Sequence, residues 1–209
     1  MAAIPKTDLP GYEALRKRVD AAFQLLQESR AVDFKQSVKW EDYKIKFAET
    51  IMAMSNLRDG GIVIIGVSEE NGEWKLKGIT DQDLATYDPD NMIDFVNKYA
   101  SPVANFNVVR HEMDGTNFLI MSVREFESEP VICKRDHNKD LRNGAIYIRP
   151  LGKPETRAIQ NAEEMRELLD IAVEKKMRRL AGQMQYIYGQ TPPTQQQDQK
   201  IFDQELGGL

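Results

Sequence analysis

Acidic side chains stand at three places where they could act together on a phosphodiester: Glu28, Asp33 and the pair Glu69 and Glu70. A hard divalent ion such as Mg²⁺ or Mn²⁺ is held by a few carboxylates, while phosphate and water complete its shell. The candidate metal ligands are therefore Glu28, Asp33 and one of Glu69 and Glu70. Lys35 follows Asp33 by two residues and could stabilise the charge of a bound phosphate. The candidate catalytic residues are Glu28, Asp33, Lys35 and Glu69.

The same residues have a plainer interpretation. Glu28 would be a solvated acid at a helix end, and Asp33 with Lys35 a surface ion pair that contributes little stability. Glu69 and Glu70 would keep a hairpin tip in solution. From these residues alone, the plainer interpretation is favoured.

Basic side chains are concentrated in one segment of an acidic chain. The net charge is −5, yet residues 134–157 hold seven Lys or Arg against three acids. Such side chains could bind phosphates in a salt-dependent way that does not read base sequence, the alternative being a set of solvated loops. The candidates for nucleic-acid contact are Lys134, Arg135, Lys139, Arg142, Arg149 and Lys153.

Apolar spacing predicts the elements that must position the acids. Over residues 12–27, apolar residues recur every three or four positions, which predicts an amphipathic helix with Glu28 at its end. Alternation over residues 32–35 predicts a strand that buries Val32 and Phe34 and presents Asp33 and Lys35 together on its other face.

A second predicted helix, marked by apolar residues from Tyr43 to Met54, leads through Gly60 and Gly61 into a strand over residues 62–67. Glycine suits the positive φ of such a turn. The strand is apolar at nearly every position, so it should lie at the sheet centre with both faces covered. Asn71 and Gly72 predict a hairpin turn that places an acidic loop beside this strand.

Further elements follow downstream. One helix is marked by a proline near its first turn and another proline beyond its end. Asp-Gly and Asn-Gly pairs mark turns between strands. Asn161 can cap a long final helix. The predictions are a helix over residues 89–99, a hairpin of 106–112 with 118–123, short strands at 130–133 and 145–148, and a helix from 161.

Bulk composition is that of an ordinary globular chain. Its 209 residues are 41% hydrophobic and 29% charged, which favours one domain and excludes wholesale disorder. There is no run of eighteen apolar residues and no signal-peptide core, and Cys133 is alone, so no intrachain disulfide can form. We therefore expect a cytoplasmic protein with no membrane partner.

The order of the motifs resembles the Schlafen-type, Alba-like domain over residues 28–157. Asp33 stands where that family more often has glutamate, and Ser68 precedes the acids after the apolar strand. The motifs that carry the resemblance are the segment 28–35, a helix ending at Ser55 and Asn56, the pair Gly60 and Gly61, the strand end 64–67, and the later segments 129–131 and 145–149.

The resemblance implies an α+β fold in which a mixed, mainly antiparallel central sheet is flanked by helices and followed by a long C-terminal helix. The expected division is a leader and helix over residues 1–27, the Alba-like domain over 28–160, the C-terminal helix over 161–188 and a disordered tail over 189–209. Ile201, Phe202 and Leu206 in that tail could bind a protein partner.

The resemblance also implies two kinds of function. Schlafen proteins use three acids for metal-dependent cleavage of structured RNA such as tRNA, whereas many prokaryotic members are described only as DNA-binding. We favour a metal-dependent endoribonuclease using Mg²⁺ or Mn²⁺. The alternatives are a non-catalytic DNA- or RNA-binding regulator and a protein-interaction scaffold. Schlafen proteins carry two facing copies of the domain, so a homodimer could supply the second copy here.

Overall fold

Helices and short strands are interspersed along the chain. The computed structural model describes residues 12–188, with side chains for residues 12–184. The predicted leader before Tyr12 and the predicted tail 189–209, with Ile201, Phe202 and Leu206, lie outside the described residues. The elements are α1 (Tyr12–Leu25), β1 (Val32–Lys35), α2 (Trp40–Ser55), β2 (Gly61–Ile65), β3 (Val67–Glu70), β4 (Glu73–Leu76), α3 (Asp81–Leu84), α4 (Pro89–Asn97), β5 (Ala100–Ser101), β6 (Phe106–Met113), β7 (Thr116–Val123), β8 (Ile132–Cys133), β9 (Tyr147–Ile148), β10 (Arg157–Ala158) and α5 (Ala162–Tyr188).

The central sheet has four strands in the order β1, β2, β7 and β6. β1 runs parallel to β2, whereas the other two pairings are antiparallel. The remaining described strands form the two-stranded pairs β3–β4, β5–β8 and β9–β10. The predicted α+β class, with a mixed, mainly antiparallel sheet, flanking helices and a long C-terminal helix, is confirmed.

The two faces of β2 contribute to two separate apolar clusters. Ile62 and Ile64 pack with Phe34 of β1 and with residues of α1. Val63 and Ile65 point the other way and pack with residues of α2 and α4. All five residues of β2 are buried. The prediction that this strand lies inside the sheet with both faces covered is therefore confirmed.

Two glycines shape the entry to and the exit from β2. Gly60 has φ +65°, as the predicted turn requires, and a Cβ there would lie 2.1 Å from the Val123 carbonyl oxygen. Gly66 has φ +114°, and a Cβ there would lie 2.8 Å from Gly78 Cα. The positive φ at Gly66 interrupts the extended chain, so the strand predicted to reach Val67 ends at Ile65 and β3 begins a separate hairpin.

The β3–β4 hairpin turns at Asn71 and Gly72, as predicted, and both have positive φ. Glu69 and Glu70, which were expected in a loop, are the last two residues of β3 itself. Glu69 pairs directly with Trp74 across the hairpin. Because side chains alternate along a strand, Glu69 and Glu70 lie on opposite faces of this hairpin.

α5 begins where the sequence predicts. The Asn161 side-chain oxygen accepts a hydrogen bond from the Glu164 N–H at 3.0 Å, which confirms the predicted cap. Four ion pairs among the described side chains connect the helix to the rest of the domain. No helix within residues 12–188 is both long and apolar enough to cross a membrane. The ion pairs are Arg30 with Glu167 at 2.8 Å, Arg58 with Glu174 at 2.6 Å, Arg157 with Glu164 at 2.5 Å and Lys175 with Glu125 at 3.0 Å.

Candidate functional site

Asp33 lies in the interior of the domain and is 4% exposed. Its Oδ1 accepts a hydrogen bond from Arg149 Nη1 at 3.0 Å. Its Oδ2 lies 2.6 Å from Lys35 Nζ. Among the described residues Oδ2 has no aligned hydrogen-bond donor, so the Lys35 contact is an ion pair without good hydrogen-bond geometry. Each carboxylate oxygen of Asp33 therefore faces a cation.

Arg149 is 1% exposed, and its guanidinium is used inside the protein. Besides Asp33, Nη1 reaches Thr156 Oγ1 at 3.4 Å. Nη2 donates to the carbonyl oxygens of Ser29 and Pro154, both at 3.0 Å. Arg149 thus joins β1, the turn before it and the segment after β9. The structure places this predicted nucleic-acid contact in the core, where its role is to organise the site.

Glu28 lies beside this ion-pair network and is half-buried. α1 ends at Leu25, three residues earlier. Glu28 Oε1 accepts a hydrogen bond from the Phe34 N–H at 2.8 Å, which fixes the side chain against β1. Burial raises the pKa of Glu28, and the nearby Asp33 raises it further. The Phe34 N–H and the charges of Lys35 and Arg149 act in the opposite direction.

The raised pKa of Glu28 predicts a pH dependence of stability. The folded state holds this proton more tightly than the unfolded state, so the contribution is fully present below the ordinary value of 4.5 and is lost as the pH rises through the folded pKa. Glu28→Gln keeps an oxygen for the Phe34 N–H and removes the titration. Denaturant unfolding between about pH 4 and pH 7 should show the variant gaining stability relative to wild type as the pH rises. A constant difference between the two proteins would contradict this.

The four predicted metal ligands do not converge around one position. Within the part of the chain that the structure describes, no group of three or more His, Cys, Asp or Glu side chains could hold a metal ion. Glu69 is exposed, and Glu70 pairs with Lys77 and, at 3.4 Å, with Lys75. The two carboxylates that do come together, Glu28 and Asp33, are electrically balanced by two cations, Lys35 and Arg149.

The balance of charge around Glu28 and Asp33 affects whether these acids could bind the predicted Mg²⁺ or Mn²⁺. Such ions are held by carboxylate oxygens whose charge is not already neutralised, usually together with water and phosphate. Asp33 is 4% exposed and each of its oxygens faces a cation, so a metal there would compete with Lys35 and Arg149, and displacement of Arg149 would leave a buried charge unpaired. The donor set in this arrangement therefore does not fit the predicted metal.

An open pocket of about 520 Å³ adjoins Glu28. Trp74 of β4 enters it from the same hairpin face as Glu69, whereas Glu70 lies on the other face. Arg30 in its wall is already held, since Nε donates to the Arg149 carbonyl oxygen at 2.6 Å and Nη1 to Glu167 at 2.8 Å. The lining residues are Gln27, Glu28, Ser29, Arg30, Trp74, Gly152, Lys153 and Pro154.

Trp74 and Arg30 are pocket residues that sequence reasoning missed. Trp74 follows the predicted turn at Asn71 and Gly72 by two residues. Its one signal was a large aromatic side chain among the charged residues of a hairpin, where solvent exposure is the rule. Arg30 gave no signal, because its partner Glu167 lies 137 residues away.

Residues 134–142, here called the basic loop, form a compact turn that is held in place by buried residues. Leu141 is fully buried within it, and the His137 and Leu141 backbones pair. The Tyr147 hydroxyl accepts a hydrogen bond from the Arg142 N–H at 3.0 Å and donates to the Asp140 carbonyl oxygen at 3.2 Å. Tyr147 is itself 3% exposed, so it packs in the core, where it supports the loop.

The cations of the basic loop point away from this anchor. Lys134, Arg135, Lys139 and Arg142 are all exposed, and none forms an ion pair with another described residue. Lys153, the remaining predicted contact, is exposed at the rim of the pocket. Five of the six predicted nucleic-acid contacts are thus on the surface, and Arg149 is not.

Comparison with known proteins finds a similar family. A family model described as Schlafen, AlbA_2 matches residues 28–155. No curated protein matches. A solved protein from Corynebacterium diphtheriae is 17% identical with a TM-score of 0.48, and the match covers 74% of this chain and 28% of that one. The N-terminal domain of a DNA helicase RecG-related protein from Nitrosomonas europaea is 17% identical with a TM-score of 0.41, over 69% of this chain and 93% of that domain. The chain therefore spans little more than a quarter of the Corynebacterium protein.

Proposed function

Because the chain belongs to the Schlafen, AlbA_2 family, we propose that it is a nucleic-acid-binding domain that contacts the phosphate backbone through the basic loop. The observation that carries this proposal is the group of exposed cations Lys134, Arg135, Lys139 and Arg142, which have no ion-pair partner among the described residues. Cations of this kind release counterions from a phosphate backbone and so provide sequence-independent affinity.

The contrast with other cations of the domain supports this role. Lys46, Arg58 and Arg157 each have a carboxylate partner, at 2.6, 2.6 and 2.5 Å. In the basic loop, one of the two acids, Asp136, has an oxygen 2.9 Å from the Asn143 N–H and so satisfies the backbone of the turn. The loop thus carries positive charge available to a ligand, although the chain as a whole is at −5.

We propose further that binding occurs without metal-dependent cleavage. Cleavage of structured RNA such as tRNA with Mg²⁺ or Mn²⁺ would require Glu28, Asp33 and Glu69 to gather around one ion. Asp33 is instead paired on both oxygens, and Glu69 stands on an exposed strand end. Binding without cleavage is therefore supported by the pairing of both Asp33 oxygens with Lys35 and Arg149. Backbone contacts serve RNA and DNA alike, so both are candidate ligands.

The test is to incubate the purified protein with tRNA and with duplex DNA, with and without Mn²⁺, and to measure both binding and integrity. We expect both nucleic acids to be retarded, less so as salt increases, and to remain intact. Cleavage by wild type that Glu28→Gln abolishes would overturn binding without cleavage and establish the endoribonuclease. Absence of binding at low salt would overturn the nucleic-acid function and leave the protein-interaction scaffold.

Three further proposals concern the surroundings of the domain. Light scattering would reveal the proposed homodimer, with or without nucleic acid. Capture experiments on the chain with and without residues 189–209 would test the proposed protein partner of the tail. A cytoplasmic location likewise remains a proposal that cell fractionation would test.

A further inference from the structure

Trp74 is held in a position where one part of its ring is packed and another faces the pocket. Its ring centroid lies 5.3 Å from that of Phe34, at an interplanar angle of 63°. The indole is half-buried and lines the pocket beside Glu28. Trp40, the other tryptophan, is 4% exposed in the core. An aromatic side chain that is braced on one side and open on the other can stack on a planar ligand at little entropic cost.

The polar groups around Trp74 are of the kind that recognise a nucleotide. Glu28 uses Oε1 for the Phe34 N–H, which orients the carboxyl group at the pocket wall. A carboxylate oxygen can accept a hydrogen bond from the exocyclic amino group of a base. Lys153 is an exposed cation at the rim, without an ion-pair partner in the described residues. Such a cation suits a phosphate oxygen.

The dimensions of the pocket agree with a ligand of this size. Its volume of about 520 Å³ lies inside the usual range for small-molecule sites, roughly 300–1,000 Å³. A base inside a duplex has both faces covered by its neighbours and cannot stack on a side chain without being extruded. A base in a loop, a bulge or a single strand can.

We propose that this pocket binds one unpaired nucleotide of a nucleic-acid chain, with the base against Trp74 and the phosphate at Lys153. The inference rests on the proposed nucleic-acid function and adds to it a preference for unpaired bases. Lys153 comes after β9 in the chain, whereas the basic loop comes before β9. Lys153 is six positions after Tyr147, which anchors the loop, so the chain between them spans at most about 20 Å. One ligand chain could therefore span the basic loop and the pocket.

Tryptophan fluorescence gives a direct test. Because Trp40 is buried, quenching by a stacked base reports on Trp74. Wild type is titrated with a single-stranded RNA, a single-stranded DNA, a duplex of the same sequence, adenosine monophosphate and inorganic phosphate. We expect quenching with both single strands and with the mononucleotide, and none with phosphate alone. If inorganic phosphate quenched the fluorescence to the same extent, or if none of the ligands quenched it, the proposal would be overturned.

Variants separate the pocket from the basic loop. Trp74→Leu keeps apolar contact with Phe34 and should weaken single-strand binding by about 5- to 100-fold while leaving duplex affinity unchanged. Trp74→Phe keeps an aromatic face and should retain most of the affinity. If single strands bind equally well to wild type and Trp74→Leu, the pocket assignment fails and the backbone-binding function stands. If neither protein binds any nucleic acid, both fail.

Discussion

Arg149→Ala is expected to lower the free energy of unfolding by about 3–5 kcal/mol, because it removes one partner of a buried ion pair. Asp33 would keep only Lys35, whose side chain is 23% exposed. The carbonyl oxygens of Ser29 and Pro154 would also lose a donor. Urea unfolding followed by circular dichroism measures the change, with the slope of the transition checked for two-state behaviour.

Two matched variants isolate the cause. Arg58→Ala removes an arginine whose partner Glu174 is at the surface, 2.6 Å away, so its effect should be much smaller. Arg149→Lys keeps a positive charge, but a single ammonium group cannot reproduce the forked geometry that serves Asp33 and two carbonyl groups, so it should recover only part of the loss. Equal stability of Arg149→Ala and Arg58→Ala would show that the Asp33 network contributes little.

Removal of the basic loop's charge should have the largest effect on ligand binding. Alanine at Lys134, Arg135, Lys139 and Arg142 together is expected to weaken binding of tRNA and duplex DNA by roughly 100-fold at 0.1 M salt, because these four side chains no longer neutralise phosphates. Fluorescence anisotropy with labelled nucleic acid measures the affinities. The loop's anchors, Leu141 and Tyr147, are unchanged in this variant, so the fold should be retained.

The control variant removes the same amount of charge elsewhere. Arg16, Lys17, Lys39 and Lys46 are also exposed, on α1, at the N-cap of α2 and in its second turn. Their replacement by alanine lowers the net charge by the same four units, so it reproduces any effect of the overall field. If both variants bound nucleic acid with similarly reduced affinity, binding would depend on the electrostatic field of the whole protein. This result would contradict a role for the basic loop.

Local patterns predicted much of the architecture. The alternation in β1 correctly placed Asp33 and Lys35 on one face, and the all-apolar run correctly predicted an inner strand. The same alternation could not show what covers that face. Arg149 is 116 residues from Asp33, and a contact over this separation leaves no periodic signal in a single sequence. Asp33 therefore looked like a surface ion-pair residue or a metal ligand, and the structure gives it a buried cationic partner.

The exit from the central strand was harder to predict, for a different reason. Gly66 reads as one more residue of an apolar strand, and its positive φ becomes evident only when the chain crosses close to Gly78. After this change of direction, Glu69 and Glu70 lie at the end of β3, in a separate hairpin. The three acids were expected to converge because the exit of the central strand was expected to bring a loop with Glu69 and Glu70 beside Asp33.

The salt dependence of binding shows directly whether the basic loop contacts the phosphate backbone. Affinity for duplex DNA is measured from about 50 to 200 mM salt for wild type and for the variant with alanine at Lys134, Arg135, Lys139 and Arg142. If the basic loop binds the backbone, the slope of log K against log salt should become shallower by roughly 0.9 for each phosphate that the variant leaves unneutralised. Parallel lines for the two proteins would contradict backbone binding by the basic loop, because they would show that these side chains displace no counterions.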